Sequence, residues 1–162
     1  MKKKLNLNRE TLSHCNKMKI LILGLPNSGK TTLARELSYH FLLPHHNADT
    51  YREYNADWDF SEMGRARQAR RMSMQWGILD FVCPTESLRR MTNPTYMIWM
   101  DTIENSGYTD TDALFEPVID YDIRISKWIE LNQLRKCLED FNPGIVGIQS
   151  FLKECMPKLA KS

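Results

Sequence analysis

The stretch Gly24-Leu25-Pro26-Asn27-Ser28-Gly29-Lys30-Thr31 sets two glycines, a lysine and a hydroxyl at the spacing G-x-x-x-x-G-K-[ST], the pattern of a phosphate cradle. A triphosphate is a dense cluster of negative charge. Glycines let backbone N–H groups curl inward around it, and a helix starting at the cradle adds its partial positive end. In such a loop the lysine, Lys30, reaches the β- and γ-phosphates and the hydroxyl of Thr31 ligates Mg²⁺. The expected nucleotide contacts are Gly24, Pro26, Asn27, Ser28, Gly29, Lys30, Thr31 and Thr32, with ATP and Mg²⁺ as the implied cofactors. An incidental glycine-lysine turn is the alternative, and the flanking segments described below argue against it.

Three acidic residues could work beside the cradle. Asp49 follows a short presumed strand, where a carboxylate can orient or deprotonate an acceptor hydroxyl; it also suits the N-cap of a helix over Thr50–Tyr54. Asp80 and Asp101 each close an apolar run. A carboxylate at a strand end facing the cradle is a good outer-sphere magnesium ligand, and Asp80 is preferred. His45 and His46 are neighbours on one presumed strand, so they point to opposite sides and are not a joint metal site.

The segment Asp57–Met72, DWDFSEMGRARQARRM, runs from acidic and aromatic residues into four arginines. On a helix Arg65 and Gln68 fall within about 60° of each other, and Arg67, Arg70 and Arg71 cluster on the other side. One face can look into an acceptor site while the other is expected to be mostly solvated. Nucleic-acid binding would favour one continuous basic stripe with interleaved aromatics, so a small anionic acceptor fits better.

These residues need a scaffold. Lys17–Gly24 is a short apolar run ending in glycine, as in a buried strand. Gly29–Leu42 carries Leu33, Leu37 and Phe41 at helical spacing and stops before Pro44. His45–Asn47 reads as a brief strand, Ser61 opens a helix to about Met74, and Trp76–Val82 and Tyr96–Met100 read as buried strands. A short helix lies near Glu86–Met91, Asp101–Asp120 is a polar loop, and Tyr121–Ser126 is a further strand. Two C-terminal helices follow, split at Asn142-Pro143-Gly144, with Asn142 as cap and Pro143 at the first helical position. Strands alternating with helices predict an α/β fold, a mostly parallel sheet covered on both faces, with ligands beyond the carboxyl ends of the strands.

The 162 residues fit one domain, expected over 18–162, with 1–17 as a flexible or helical extension. Lysines and arginines number 22 against 20 acidic residues, a net charge of +2, so any anion site comes from local clustering; neither a nucleic-acid nor a membrane partner is expected. Cys15, Cys83, Cys137 and Cys155 form no CxxC pair and no secretion signal is present, which predicts reduced thiols in a cytoplasmic protein.

Several segments over roughly residues 18–126 resemble adenylylsulfate kinases, P-loop enzymes that phosphorylate the 3′-hydroxyl of adenosine 5′-phosphosulfate. NADTYREYN is similar to the family's Asp-Gly-Asp segment, which places Asp49, Arg52 and Asn55 in its roles. FSEMGRARQARR resembles the Phe-Ser-Glu segment, so Arg65 and Gln68 inherit the acceptor contacts; FVCP stands where the family has Phe-Ile-Ser-Pro and brings Phe81, Val82 and Cys83. YTDTDALFEP resembles the segment whose aromatic pairs with the Phe-Ser-Glu phenylalanine around an adenine, which implies Tyr108 opposite Phe60. The resemblance implies the P-loop three-layer sandwich, with Lys30 and Asp49 catalytic, Thr31 and Asp80 at the metal, and small-molecule substrates; a homodimer is left open. Asn47 in place of the first acid, Cys83 in place of serine, Gln68 in place of asparagine, a shortened stretch between Phe60 and Phe81, and no Lys or Arg from Asp101 to Ile123 depart from the family. A kinase for another hydroxyl (nucleoside, sugar or polynucleotide end) and a nucleotide-binding regulator without catalysis are the alternatives.

Overall fold

The computed structural model describes residues 18–140 and 147–154. The expected extension over 1–17, Cys15, the Asn142–Gly144 break and Cys155 lie outside them. In chain order the elements are β1 (Lys19–Gly24), α1 (Lys30–Phe41), β2 (His45–Asn47), α2 (Ala48–Asn55), α3 (Glu62–Ser73), β3 (Gly77–Asp80), α4 (Glu86–Thr92), β4 (Tyr96–Met100), α5 (Thr109–Leu114), β5 (Ile123–Ile125), α6 (Trp128–Asp140) and α7 (Ile148–Glu154).

The five strands form one parallel sheet in the order β2-β3-β1-β4-β5. β1 is central, and its side chains alternate between two cores as the strand period requires. Ile20 and Ile22 join Leu33 and Leu37 of α1 and Leu131, Leu134, Phe151 and Leu152 of α6 and α7. Leu21 and Leu23 join Ala69 and Met72 of α3, Leu88 of α4 and Val118. Two cores on one sheet make the predicted three-layer sandwich.

Register decides what meets at the carboxyl edge. Asn47 of β2 pairs with Asp80 of β3, and Asp80 pairs with Ile22 of β1, two residues before the Gly24 turn. The glycine-rich loop, Asn47 and Asp80 are thereby gathered at one end of the sheet. Gly24 is required there: a Cβ would stand 2.4 Å from the Met100 carbonyl oxygen on β4.

The expected polar loop Asp101–Asp120 contains a short helix, α5, which apolar periodicity did not announce. Arg89 fixes the chain after it. Its buried guanidinium donates to the carbonyls of Cys83 (3.0 Å), Pro84 (2.9 Å), Glu116 (2.6 Å) and Pro117 (3.4 Å). It thus ties the segment after β3 to the chain leaving α5.

Candidate active site

Gly29 caps α1 with a left-handed backbone, φ 96°, a conformation that glycine adopts without strain. The first intrahelical bond runs from the Leu33 N–H to the Gly29 carbonyl. The N–H groups of Lys30, Thr31 and Thr32 therefore have no acceptor within the helix, and glycine offers no side-chain cap. These donors and the helix dipole are what a phosphate needs. Lys30 is buried and donates to the Leu25 carbonyl at 2.8 Å. Burial lowers its pKa, while the charges of Asp80 and Asp49 pull it back up, so its ammonium lacks a full counter-charge. The hydroxyl of Ser28 is fully buried without a hydrogen-bond partner among the described residues. The cradle fits a polyphosphate.

Asp80 is the hub beneath it. Its Oδ2 accepts from the Thr31 hydroxyl at 2.6 Å and from the Asn47 side-chain amide at 2.9 Å, and His45 Nε2 lies 3.2 Å away. Burial pushes the Asp80 carboxyl up, but hydrogen bonds from His45 and Thr31 and the charge of Lys30 outweigh it, and its pKa falls below the ordinary value. Oδ1 has no hydrogen bond from the protein among the described residues. Also among these residues, no group of three or more His, Cys, Asp and Glu side chains is placed to hold a metal. That arrangement fits Mg²⁺, which is commonly held by one or two protein oxygens together with substrate phosphates and water; Thr31 would ligate it and Asp80 Oδ1 would hold its water. His46 points the other way, to the Tyr51 hydroxyl and the Trp76 carbonyl, as alternation along the strand predicts.

Asn47 also caps α2: its Oδ1 accepts from the N–H groups of Asp49 (2.9 Å) and Thr50 (3.3 Å). This corrects the cap expected at Asp49, which lies instead in the first turn, exposed and lining the cleft, with its carboxylate unpartnered among the described residues. Its charge is felt by both Lys30 and Arg52.

The cleft has a volume of about 740 Å³, and at its other end Arg52, Arg65, Phe60, Trp58 and Tyr108 line it. Arg52 is 3% exposed and has no ion pair among the described residues; one of its nitrogens donates to the carbonyls of Asp57 (3.1 Å) and Asp59 (3.0 Å). Arg65 donates to the Phe60 carbonyl at 2.9 Å and to the Thr111 hydroxyl at 3.4 Å, and the carboxylate it meets among the described residues is that of the exposed Asp110, at 3.6 Å. Two buried guanidinium groups thus face the cleft with little counter-charge.

The loop carrying Trp58 and Phe60 is braced by the arginines expected in solvent. Arg67 grips Asp57 (2.7 and 2.9 Å) and Asp59 (3.1 Å), and Arg71 reaches Asp57 at 2.5 Å. Both are loop clamps: Arg67 and Arg70 are exposed as expected, Arg67 while ion-paired, and Arg71 is the one drawn in from solvent. Sequence periodicity separated the faces correctly but could not show that the acidic residues upstream fold back onto the outer one.

Among the predicted contacts, Pro26, Asn27, Gly29, Lys30, Thr31, Thr32, Asp49, Arg52, Phe60, Arg65, Asp80, Phe81, Val82 and Tyr108 line the same cleft. Gly24 and Ser28 belong to the loop but do not line the cleft. Gln68 does not reach the cleft: it is fully buried, donates to the Ala48 carbonyl at 2.5 Å and accepts from Arg71. Asn55 is exposed and bonded to its own helix at the Tyr51 carbonyl. Cys83 is buried, with burial pushing its thiol up to about 12, and it too stays off the cleft. Asp101 pairs with Arg124. Asn47, Trp58, Thr111 and Trp128 line the cleft without having been expected to. Asn47 had a readable signal, a cap residue at a strand-to-helix junction; Trp128, packed on Gly29, had none.

No family model matches the chain, and no curated protein matches it. Among solved structures, the Mycobacterium tuberculosis APS kinase CysC in complex with AMPPNP and APS superposes with a TM-score of 0.58 at 16% identity, covering 91% of this chain and 99% of that one. An unliganded sugar kinase from Janibacter sp. superposes with a TM-score of 0.58 at 16% identity, covering 89% and 98%. The fold is that of P-loop kinases.

Proposed function

We propose that residues 18–162 form a magnesium-dependent kinase that transfers the γ-phosphoryl group of ATP to the 3′-hydroxyl of adenosine 5′-phosphosulfate. The observation that carries this reading is that one cleft joins a phosphate cradle at one end to two under-compensated, buried arginines at the other. A buried cation without a carboxylate partner is costly, and an anionic acceptor supplies the missing charge. The N–H groups at the start of α1 and the Lys30 ammonium hold the triphosphate. Mg²⁺ bound with the nucleotide supplies charge neutralisation on its terminal phosphates. Arg52 and Arg65 seat the phosphosulfate with the donors that the carbonyls leave unused. Asp49 lies within electrostatic reach of both ends, where it aims the acceptor hydroxyl and takes its proton as the γ-phosphorus is attacked.

A coupled assay for ADP with Mg²⁺-ATP and adenosine 5′-phosphosulfate tests this. Turnover that disappears with EDTA and returns with Mg²⁺ is expected; normal ATP binding with no ADP formed would defeat it.

The second reading is a kinase for another anionic hydroxyl compound. It is favoured by the equal fold similarity to the Janibacter sugar kinase and by Asn47 in place of the first acid of Asp-Gly-Asp. Screening phosphorylated and carboxylated sugars for ADP release separates the two. ATP binding without release for any acceptor, unchanged by Asp49→Ala, would mark a nucleotide-binding regulator.

A further inference from the structure

Phe60 and Trp58 share the acceptor end of the cleft, with ring centroids 6.5 Å apart and planes at 40°. Their surroundings differ. The Arg52 guanidinium carbon sits over the Phe60 ring at 4.4 Å from its centroid, and that of Arg65 lies at 5.4 Å. Both guanidinium groups are anchored to backbone carbonyls of the same loop, so they are not free to swing away. Phe60 is already a stacking partner for cations. No guanidinium lies over Trp58 among the described residues; its ring neighbour is the tilted Phe60, and it is 54% exposed, against 47% for Phe60, while lining the cleft.

An indole with this much apolar surface facing a cleft is costly to leave in water. Its loop is also rigidly held, by Arg67 and Arg71 on Asp57 and by Arg67 on Asp59. Trp58 is therefore a fixed planar platform beside two anion-binding arginines. That pairing suits a ligand with a flat ring and an anionic group, such as a nucleoside 5′-phosphate or its mixed anhydride. A sugar phosphate can set C–H groups against the indole but has no planar ring to stack on it.

We infer that Trp58, and not Phe60, provides the stacking face for the acceptor's planar base, while Phe60 serves to hold Arg52 and Arg65 in place. The inference rests on the acceptor reading above and assigns the residue that meets its base; it is tested by binding alone, so it stands or falls apart from turnover.

The experiment is calorimetric titration of adenosine 5′-monophosphate, and separately of ribose 5-phosphate, into the full chain with ADP and Mg²⁺ present. Wild type is compared with Trp58→Leu and Phe60→Leu. Base-on-ring stacking contributes enough for Trp58→Leu to weaken adenosine 5′-monophosphate about tenfold while leaving ribose 5-phosphate as in wild type. Phe60→Leu should weaken both probes alike, because it loosens the arginines. Trp58→Leu binding adenosine 5′-monophosphate within about twofold of wild type, or wild type binding both probes equally or neither, would overturn the inference. A thermal melt of each variant guards against misfolding. Should Trp58→Leu fail to fold, a variant carrying Trp76→Phe, Trp99→Phe and Trp128→Phe, which leaves Trp58 as its one indole, is expected to have its fluorescence quenched by adenosine 5′-monophosphate but not by ribose 5-phosphate. No difference between the two would overturn the inference by that route.

Discussion

Asn47 performs two functions through one side-chain amide. Its oxygen satisfies two N–H groups at the start of α2, and its nitrogen holds Asp80 Oδ2. Truncating it removes a cap, which costs about 1–2 kcal/mol, and takes away one of the three side chains that meet Asp80 Oδ2. Asn47→Ala is expected to lower the melting temperature by a few degrees and, in the ADP assay, to raise the Mg²⁺ concentration needed for half-maximal rate; an unchanged Mg²⁺ requirement would separate Asp80 from the metal. Asp49 makes the opposite prediction. Exposed and unpartnered among the described residues, Asp49→Asn should leave stability and ATP affinity within about 0.5 kcal/mol of wild type while reducing kcat on the order of 10²-fold or more. The cradle and Asp80 were legible because their chemistry depends on spacing within a short stretch. Gln68 falls outside the cleft lining because helical phase places a residue on a face and says nothing about what already covers that face; here Ala48 and Arg71 do.

At the scale of elements, the loop from Asp57 to Ser61 is held by charge and close approach rather than by a core. Gly64 is the point of closest contact: a Cβ there would stand 2.1 Å from the Asp59 carbonyl oxygen. Gly64→Ala must push the loop away from α3, and acceptor affinity should fall more than ATP affinity does. Hydrogen bonds from Arg67 and Arg71 hold the Asp57 carboxyl far below its ordinary 3.8. A depressed carboxylate contributes stability above its unfolded pKa, lost as pH falls toward its folded value. The contribution is thus whole above about pH 4 and declines below it. Urea midpoints should drop more steeply between about pH 4 and pH 2 in wild type than in Arg67→Ala, which lacks one of the two clamps. Arg89 sets the opposite wall: four carbonyls of two segments depend on it. Arg89→Leu should cost at least ~2 kcal/mol in urea unfolding, and Arg89→Lys should not restore it, since an ammonium cannot reproduce the planar fork. None of these braces was visible in the sequence, because each joins residues whose contact is created by the fold.

For the whole molecule, alternation of apolar strands with helical spacing sufficed to foresee a parallel sheet with two covered faces, and the division of Ile20 and Ile22 from Leu21 and Leu23 into separate cores follows from strand period alone. Strand order was not readable in the same way, yet it is what sets Asn47 and Asp80 beside the Gly24 turn. Every proposed role depends on the cradle gripping a triphosphate. The direct measurement is isothermal calorimetry of Mg²⁺-ATP against wild type and Lys30→Ala, with a thermal melt confirming that both are folded. Binding by the wild type and a loss of at least about tenfold in the variant, the ~1.4 kcal/mol or more expected from removing a charged hydrogen bond, is predicted; equal affinity in the two proteins would contradict it.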